Sequence, residues 1–363
     1  MDTSNFDLKK LLRKNVKNLI PYSSARDEFT GKASVFLDAN ENPFENGVNR
    51  YPDPLQRQLK KRIGEIKSVD SDRLILGNGS DEVIDLLFRA FCEPNTDNVV
   101  ICTPTYGMYE VAANINAVEI RKAALNSDFQ PEVQLVLNTT DQNTKLLFLC
   151  SPNNPTANLY EEVRVFELLN KFSGIVVVDE AYIDFAKDKT YTKYLNQFPN
   201  LVILQTLSKA WGMAGIRLGI GMASNEIVQF LNRIKPPYNV NSLTQKKALE
   251  ALKKEKIYEK QIELILKERT SLFGFLSKCE FVEKVYSSDA NFLLIKVKDA
   301  SGLYDYLLRQ GIVIRDRSKI ESLEQCVRIS VGTKEENRLL KKALLSFDTK
   351  FRENDNKKES SIY

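Results

Sequence analysis

Between residues 73 and 223 the chain repeats one alternation: a short apolar run, a cluster of turn residues, then a longer stretch that is mostly apolar at helical spacing. The runs open "RLILG", "NVVICTPTY", "KLLFLCSPNNPT", "GIVVVDEAY", "NLVILQTLSK" and "RLGIGMAS". They are apolar on consecutive positions instead of alternate ones, which suits strands buried on both faces. The stretch after the first, "SDEVIDLLFRAFCE", repeats its apolar residues Val83, Ile84, Leu87, Phe88 and Phe91 with the period of a helix. Strands alternating with helices predict an α/β large domain, a mainly parallel sheet flanked by helices. In such sheets ligands bind beyond the carboxyl ends of the strands. The unusual residues stand there: "GNGSDE", "TPTYGMY", "SPNNPT", "DEAY" and "TLSK" each follow an apolar run, so five loops are expected to converge on one crevice.

The character changes after Pro236 and Pro237. Residues 243–278 read as one very long helix leading into a smaller α+β C-terminal domain, with strands in "NFLLIKV", "GIVIRD" and "CVRISVG" and a closing helix in "KEENRLLKKALLSF". The expected division is an N-terminal arm and small-domain segment over 1–35, a large domain over 36–240, a small domain over 241–350 and a disordered polar tail over 351–363.

The 363 residues contain no histidine. That removes Ser-His and Cys-His nucleophile systems and histidine-bound metal, leaving Lys, Tyr, Asp, Glu or a cofactor for acid-base work. Five cysteines form no CxxC pair, which favours reduced cytosolic thiols and no metal site. A net charge of +4 with scattered positive residues marks no surface for nucleic acid. The N-terminus is charged throughout and no apolar run approaches the roughly 18 residues of a membrane span, so the expectation is a soluble, cytoplasmic protein.

Lys209, in "TLSKAWGMAGIRLG", ends a buried run beside the crevice. A lysine there is ordinarily a surface or capping cation, but partial burial favours its neutral amine, which can attack an aldehyde to form a Schiff base. Asp179 ends "GIVVV", where a carboxylate needs a partner: a loop N–H, an arginine or, equally, a pyridinium nitrogen. Tyr182 and Asn154 can reach a phenolic oxygen on the same ring. "GNGSDE", with Gly79, Ser80 and Asp81 at a helix start, is a phosphate niche and equally an ordinary cap signature. Thr206, Ser208 and Arg217 can complete that niche, and Tyr106 can lie against a ring.

A reactive lysine, a carboxylate, a tyrosine, an asparagine and a phosphate niche, in this chain order, resemble the fold-type I pyridoxal phosphate-dependent aminotransferases. The chain is most similar to the histidinol-phosphate aminotransferases among them. "PYSSAR", "LDANENPF", "YPDP", "GNGSDE", "TPTYGMY", "SPNNPT", "VDEAY", "TLSKAWGMAGIRLG", "GIVIRD" and "VRISVGT" carry the resemblance over nearly the entire chain. It implies pyridoxal 5'-phosphate as cofactor, held covalently by Lys209, which then serves as general base. By resemblance Gly79, Ser80, Asp81, Tyr106, Asn154, Asp179, Tyr182, Thr206, Ser208 and Arg217 bind the cofactor. Tyr51 is implied to reach it from a neighbouring subunit of a homodimer with shared sites. Tyr22, Asn42, Arg315 and Arg328 are implied to hold substrate. The implied reaction is transfer of the amine of L-histidinol phosphate to 2-oxoglutarate, giving imidazole acetol phosphate and glutamate in histidine biosynthesis. On the same scaffold the alternatives are a threonine-phosphate decarboxylase and an aromatic amino acid aminotransferase. Ala157 stands where the family pattern usually has glycine, a methyl tolerated if the local φ is negative.

Overall fold

The computed structural model describes residues 6–22 and 33–360, with Lys350 and residues 352–360 described by backbone alone. Residues 23–26 of "PYSSAR" therefore lie outside the described residues.

Seven strands form the large sheet: β1 (Leu74–Asn78), β2 (Asn98–Thr103), β3 (Glu119–Ala124), β4 (Thr144–Cys150), β5 (Ile175–Asp179), β6 (Leu201–Thr206) and β7 (Leu218–Met222). Their order is β1-β7-β6-β5-β4-β2-β3. Pairing is parallel from β3 through β6, and β7 runs antiparallel between β6 and β1. The central strands β5, β6 and β7 are buried at every position, which is the physical reason for their unbroken apolar composition. β3 breaks the pattern because it is an edge strand, and "EIRKAA" keeps charged side chains toward water.

Two apolar layers cover the sheet. One contains Leu74, Leu147, Val176 and Ile203 with Trp211 and the helix residues Leu59 and Ile63. The other contains Ile75, Phe148, Val177 and Leu204 with Phe88 and Leu231, and the N-terminal Leu8, Leu12 and Val16 pack into it. Alternate residues along a strand face opposite layers, so each strand serves both.

The expected single helix over 243–278 is two helices, Ser242–Leu252 and Glu255–Leu276. Arg62, from the helix Arg57–Lys67, explains the break. Its guanidinium donates to the Leu252 carbonyl at 3.0 Å and to the Glu255 carboxylate at 3.4 Å, so an orphaned helix-end carbonyl is satisfied from outside. No Gly or Pro marks the position in the sequence.

The small sheet has order β10-β11-β9-β8, all antiparallel: β8 (Val282–Val285), β9 (Phe292–Val297), β10 (Arg315–Asp316) and β11 (Cys326–Ser330). Its core joins Leu293, Ile295, Val327 and Ile329 to Leu272, Leu303 and Leu344 from three helices. The closing helix continues through Ser360, so the expected disordered tail is helical in backbone over nearly all of its length. Leu340, Leu344 and Phe347 anchor that helix on the small core, and a helix once nucleated propagates by one hydrogen bond per added residue.

Candidate active site

The carboxyl ends of the parallel strands and the β10–β11 ribbon enclose a cavity of about 590 Å³. All five expected loops line it: Gly79, Ser80 and Asp81; Thr105 and Tyr106; Asn154 and Pro155; Asp179, Ala181 and Tyr182; Thr206, Ser208 and Lys209. Arg217, Arg315 and Arg328 line it too.

The loop from β6 to β7 is shaped by close approach. A Cβ on Gly219 would lie 2.1 Å from the backbone of Gly79 and Ser80, so only glycine lets β7 run against the first turn of the helix Ser80–Phe91. Gly79 has φ +76°, and a Cβ there would lie 2.6 Å from the Arg217 guanidinium. Its N–H donates to the Arg217 carbonyl at 2.9 Å. Two glycines thus bring a helix N-terminus, with its free N–H groups, against an arginine, and both favour an anion. Asp81 already engages this corner, pairing with Arg217 at 3.5 Å and accepting the Tyr106 hydroxyl at 3.1 Å. Thr206 donates its hydroxyl to Ser208 Oγ at 2.9 Å and accepts the Ser208 N–H at 3.1 Å.

Asp179 is 2% exposed. It accepts the Tyr109 hydroxyl at 2.7 Å and the Ala181 N–H at 3.0 Å. Burial raises its carboxyl to about 6, against the lowering by those two donors. Lys209 Nζ lies 5.4 Å from the Tyr182 ring centroid. Burial, then the Arg328 guanidinium, holds its ammonium below the ordinary lysine range against the opposing pull of Asp179 and Asp81. Neutral amine is therefore more accessible here than on a surface lysine.

At the other side, Arg328 Nη1 donates to Asn154 Oδ1 at 2.5 Å, tying the small sheet to the "SPNNPT" loop. Arg315 is its direct cross-strand partner. Two residues bearing on the site are missing from the sequence reading. Tyr109 is a fully buried helix residue behind Asp179, and Arg317 lines the cavity beside Arg315. An arginine two positions after another on a strand is the pattern that finds Arg317.

Three expected residues stand apart from the cavity. Tyr51 is exposed and stacks on Tyr238 with ring centroids 4.5 Å apart. Asn42 accepts the Phe44 N–H at 2.9 Å within its own loop, and Tyr22 is 75% exposed near Arg233 and Pro236. Ala157 has φ +70°, not the negative value on which its tolerance was expected. The loop turns left-handed here, and the residue is held by its N–H to Asn153 O and by Asp289 N–H to its own carbonyl, both 2.8 Å.

Residues 33–344 match the family described as aminotransferase class I and II. The chain belongs to the class I and II aminotransferases. It is 55% identical to the histidinol-phosphate aminotransferase of Parabacteroides distasonis, covering 93% of this chain and 98% of that one. To the histidinol-phosphate aminotransferase of Flavobacterium johnsoniae it is 53% identical, covering 94% and 99%. The crystal structure of the histidinol-phosphate aminotransferase from Clostridium acetobutylicum superposes with a TM-score of 0.77 at 26% identity, over 84% of this chain and 92% of that one.

This aminotransferase is pyridoxal phosphate-dependent, and its residues fit the cofactor. A buried carboxylate with acceptor capacity left over, Asp179, meets the needs of a protonated ring nitrogen. The Gly79–Ser80 turn against Arg217 meets those of a phosphate, and Lys209 opens between them. Among the described residues no His/Cys/Asp/Glu cluster could hold a metal, and no helix is long and apolar enough to cross a membrane.

Proposed function

We propose that this aminotransferase moves the amine of L-histidinol phosphate to 2-oxoglutarate, leaving imidazole acetol phosphate and glutamate. The observation that carries the reading is one cavity with Lys209 and Asp179 on one side and Arg315 and Arg328 on the other; identity above one half to two named histidinol-phosphate aminotransferases supports the substrate.

When bound, the cofactor supplies an aldehyde that condenses with primary amines and a ring that accepts the electron pair left by a departing α-proton. Asp179 holds the proton on the ring nitrogen, so that the ring stays electron-poor. Tyr182 and Asn154 orient the ring by donating to its phenolic oxygen, with Asn154 fixed in turn by Arg328. The N–H groups of the Gly79–Ser80 turn, with Ser208, Thr206 and Arg217, hold the cofactor phosphate. Asp81, in that same corner, hydrogen-bonds Tyr106 and keeps its ring at the cavity wall. Lys209 Nζ would hold the aldehyde covalently and, once freed, would serve as the base that moves the proton of the substrate α-carbon. Arg315 and Arg328 receive the anionic end of either substrate, and planar guanidinium forks suit phosphate and carboxylate alike.

The active unit in this reading is a homodimer. Tyr51 reaches the cofactor phosphate of the neighbouring subunit, and Tyr22 and Asn42 complete the substrate end once two chains meet. In support, Tyr51, Val48 and Leu243 form an exposed apolar group around Tyr238, which a second chain would cover. A cytoplasmic location is supported by the five free, buried cysteines.

The deciding experiment is amino transfer from histidinol phosphate to 2-oxoglutarate with the loaded enzyme. Release of carbon dioxide from threonine phosphate, without that transfer, would assign a decarboxylase. Sedimentation of an active monomer at assay concentration would remove the shared site.

A further inference from the structure

Arg317 extends the arginine pair by one. β10 ends at Asp316, but its ladder goes one step further, since the Arg317 N–H donates to the Cys326 carbonyl at 2.9 Å. Side chains alternate along such a strand, so Arg315 and Arg317 share a face and Asp316 takes the other. Asp316 is turned back onto Ser318, accepting its N–H at 2.8 Å and its hydroxyl at 2.6 Å. Arg328 lies directly across from Arg315. All three arginines line the cavity.

This ribbon face is electrostatically incomplete. Among the described residues Arg217 pairs with Asp81, Arg164 with Glu161 and Arg121 with Asp141, whereas none of the three ribbon arginines has a carboxylate within ion-pair distance. The Nε atoms of Arg317 and Arg328 are buried with no hydrogen-bond partner. Like charges on directly opposed strand positions are destabilising, and buried donors without partners cost further. A polyanion arriving in the cavity repairs both faults. A phosphate monoester carries close to two charges at neutral pH and three strong acceptor oxygens, whereas one guanidinium fork satisfies a carboxylate.

We propose that Arg317 is a third anion-binding guanidinium, and that with Arg315 and Arg328 it sets the preference of the site for a phosphate monoester dianion over separate carboxylates. The inference rests on the reading of the substrate as a phosphorylated amine and gives that reading its source of selectivity.

The test uses Arg317→Gln and Arg317→Lys in the cofactor-loaded full chain, with the two half-reactions measured separately. Arg317→Gln is expected to raise the KM for histidinol phosphate about tenfold to a hundredfold, the loss of one charge-assisted contact, and to change that for glutamate by less than about threefold. Arg317→Lys should recover part of the difference, keeping the charge without the fork. Thermal unfolding is followed in parallel with and without inorganic phosphate. Arg317→Gln should melt no lower than wild type without phosphate, because one of three repelling cations is gone, and should gain less from added phosphate. A lower melting point with an undiminished phosphate gain, or equal losses for both substrates, would overturn the proposal. If wild type fails to turn over histidinol phosphate, the substrate reading falls, and the phosphate titration still decides the role of Arg317.

Discussion

The two sides of the cavity obey opposite rules. Beside the parallel strands the polar groups are paired within the protein: Asp179 with Tyr109 and Ala181, Asp81 with Arg217 and Tyr106, Thr206 with Ser208. On the small sheet, three arginines face the same space with no carboxylate to balance them among the described residues, and Asn154 Oδ1 is the acceptor that Arg328 has found. The paired side is preorganised and keeps its geometry without ligand, as a site that retains one cofactor through every turnover requires. The unpaired side gains only when an anion arrives, as a site that must release two different products requires. Variants on the first side should damage chemistry, and variants on the second should damage selection.

The largest effect belongs to Lys209. In the proposed reading Lys209→Ala removes both the covalent anchor and the base that moves the α-proton, so turnover should fall by about ten-thousandfold or more. Borohydride treatment of native loaded enzyme should fix the cofactor to the peptide containing Lys209. Labelling at another lysine would place the chemistry elsewhere in the cavity.

Asp179 comes next. Asp179→Asn is nearly isosteric and keeps the Ala181 contact, but cannot hold a proton on the ring nitrogen; transamination should fall by about a hundredfold to a thousandfold while the phosphate corner still binds cofactor. Stability gives an independent reading. A carboxyl raised by burial from its unfolded value to about 6 binds protons more tightly in the folded chain, so its contribution to stability falls as pH rises from about 4 to about 6 and is level above. That part of the slope should vanish in cofactor-free Asp179→Asn. Glu180, raised to about 7 by the same burial, keeps its own slope in both proteins. An unchanged profile would mean that the site opens to water before it titrates.

Tyr109→Phe probes the same carboxylate from behind, with a smaller expected loss. Removing the hydroxyl deprives Asp179 of one of its two donors and costs about 1–3 kcal/mol of stability. It also raises the carboxyl further, so activity should drop at neutral pH and recover partly as pH increases. A loss of stability with no change in the pH profile would confine Tyr109 to packing.

These residues also mark what could be read from the sequence. Strands buried on both faces are written in unbroken apolar runs, and the loops at their carboxyl ends carry Asp179, Lys209 and Arg217 at positions that the α/β rule alone brings together. β3 was illegible because an edge strand protects itself with charge, which looks like a loop. The break at Lys253 was illegible because its cause, Arg62, lies far away in the chain. Tyr109 reads as one more apolar helix residue until its hydroxyl is placed on Asp179. Tyr51, Tyr22 and Asn42 came from family pattern alone, and one chain does not bring them to the cavity.

The smallest expected effect is at Ala157, on the loop that carries Asn154 between the two sides. A non-glycine residue in left-handed backbone is disfavoured by about 1–2 kcal/mol, which Ala157→Gly would relieve. The methyl is fully buried and belongs to the large-domain core. Its burial is worth about 0.8 kcal/mol, and glycine adds up to about 1 kcal/mol of unfolded-chain freedom that folding must remove. The terms offset, so chemical denaturation of Ala157→Gly should agree with wild type within about 1 kcal/mol, and both half-reactions should be unchanged. Ala157→Val should be clearly worse, because a β-branched side chain neither adopts this φ nor fits the space. If glycine instead stabilised the protein and slowed turnover, strain in this loop would be holding Asn154 against Arg328, and the two sides of the cavity would be coupled rather than separate.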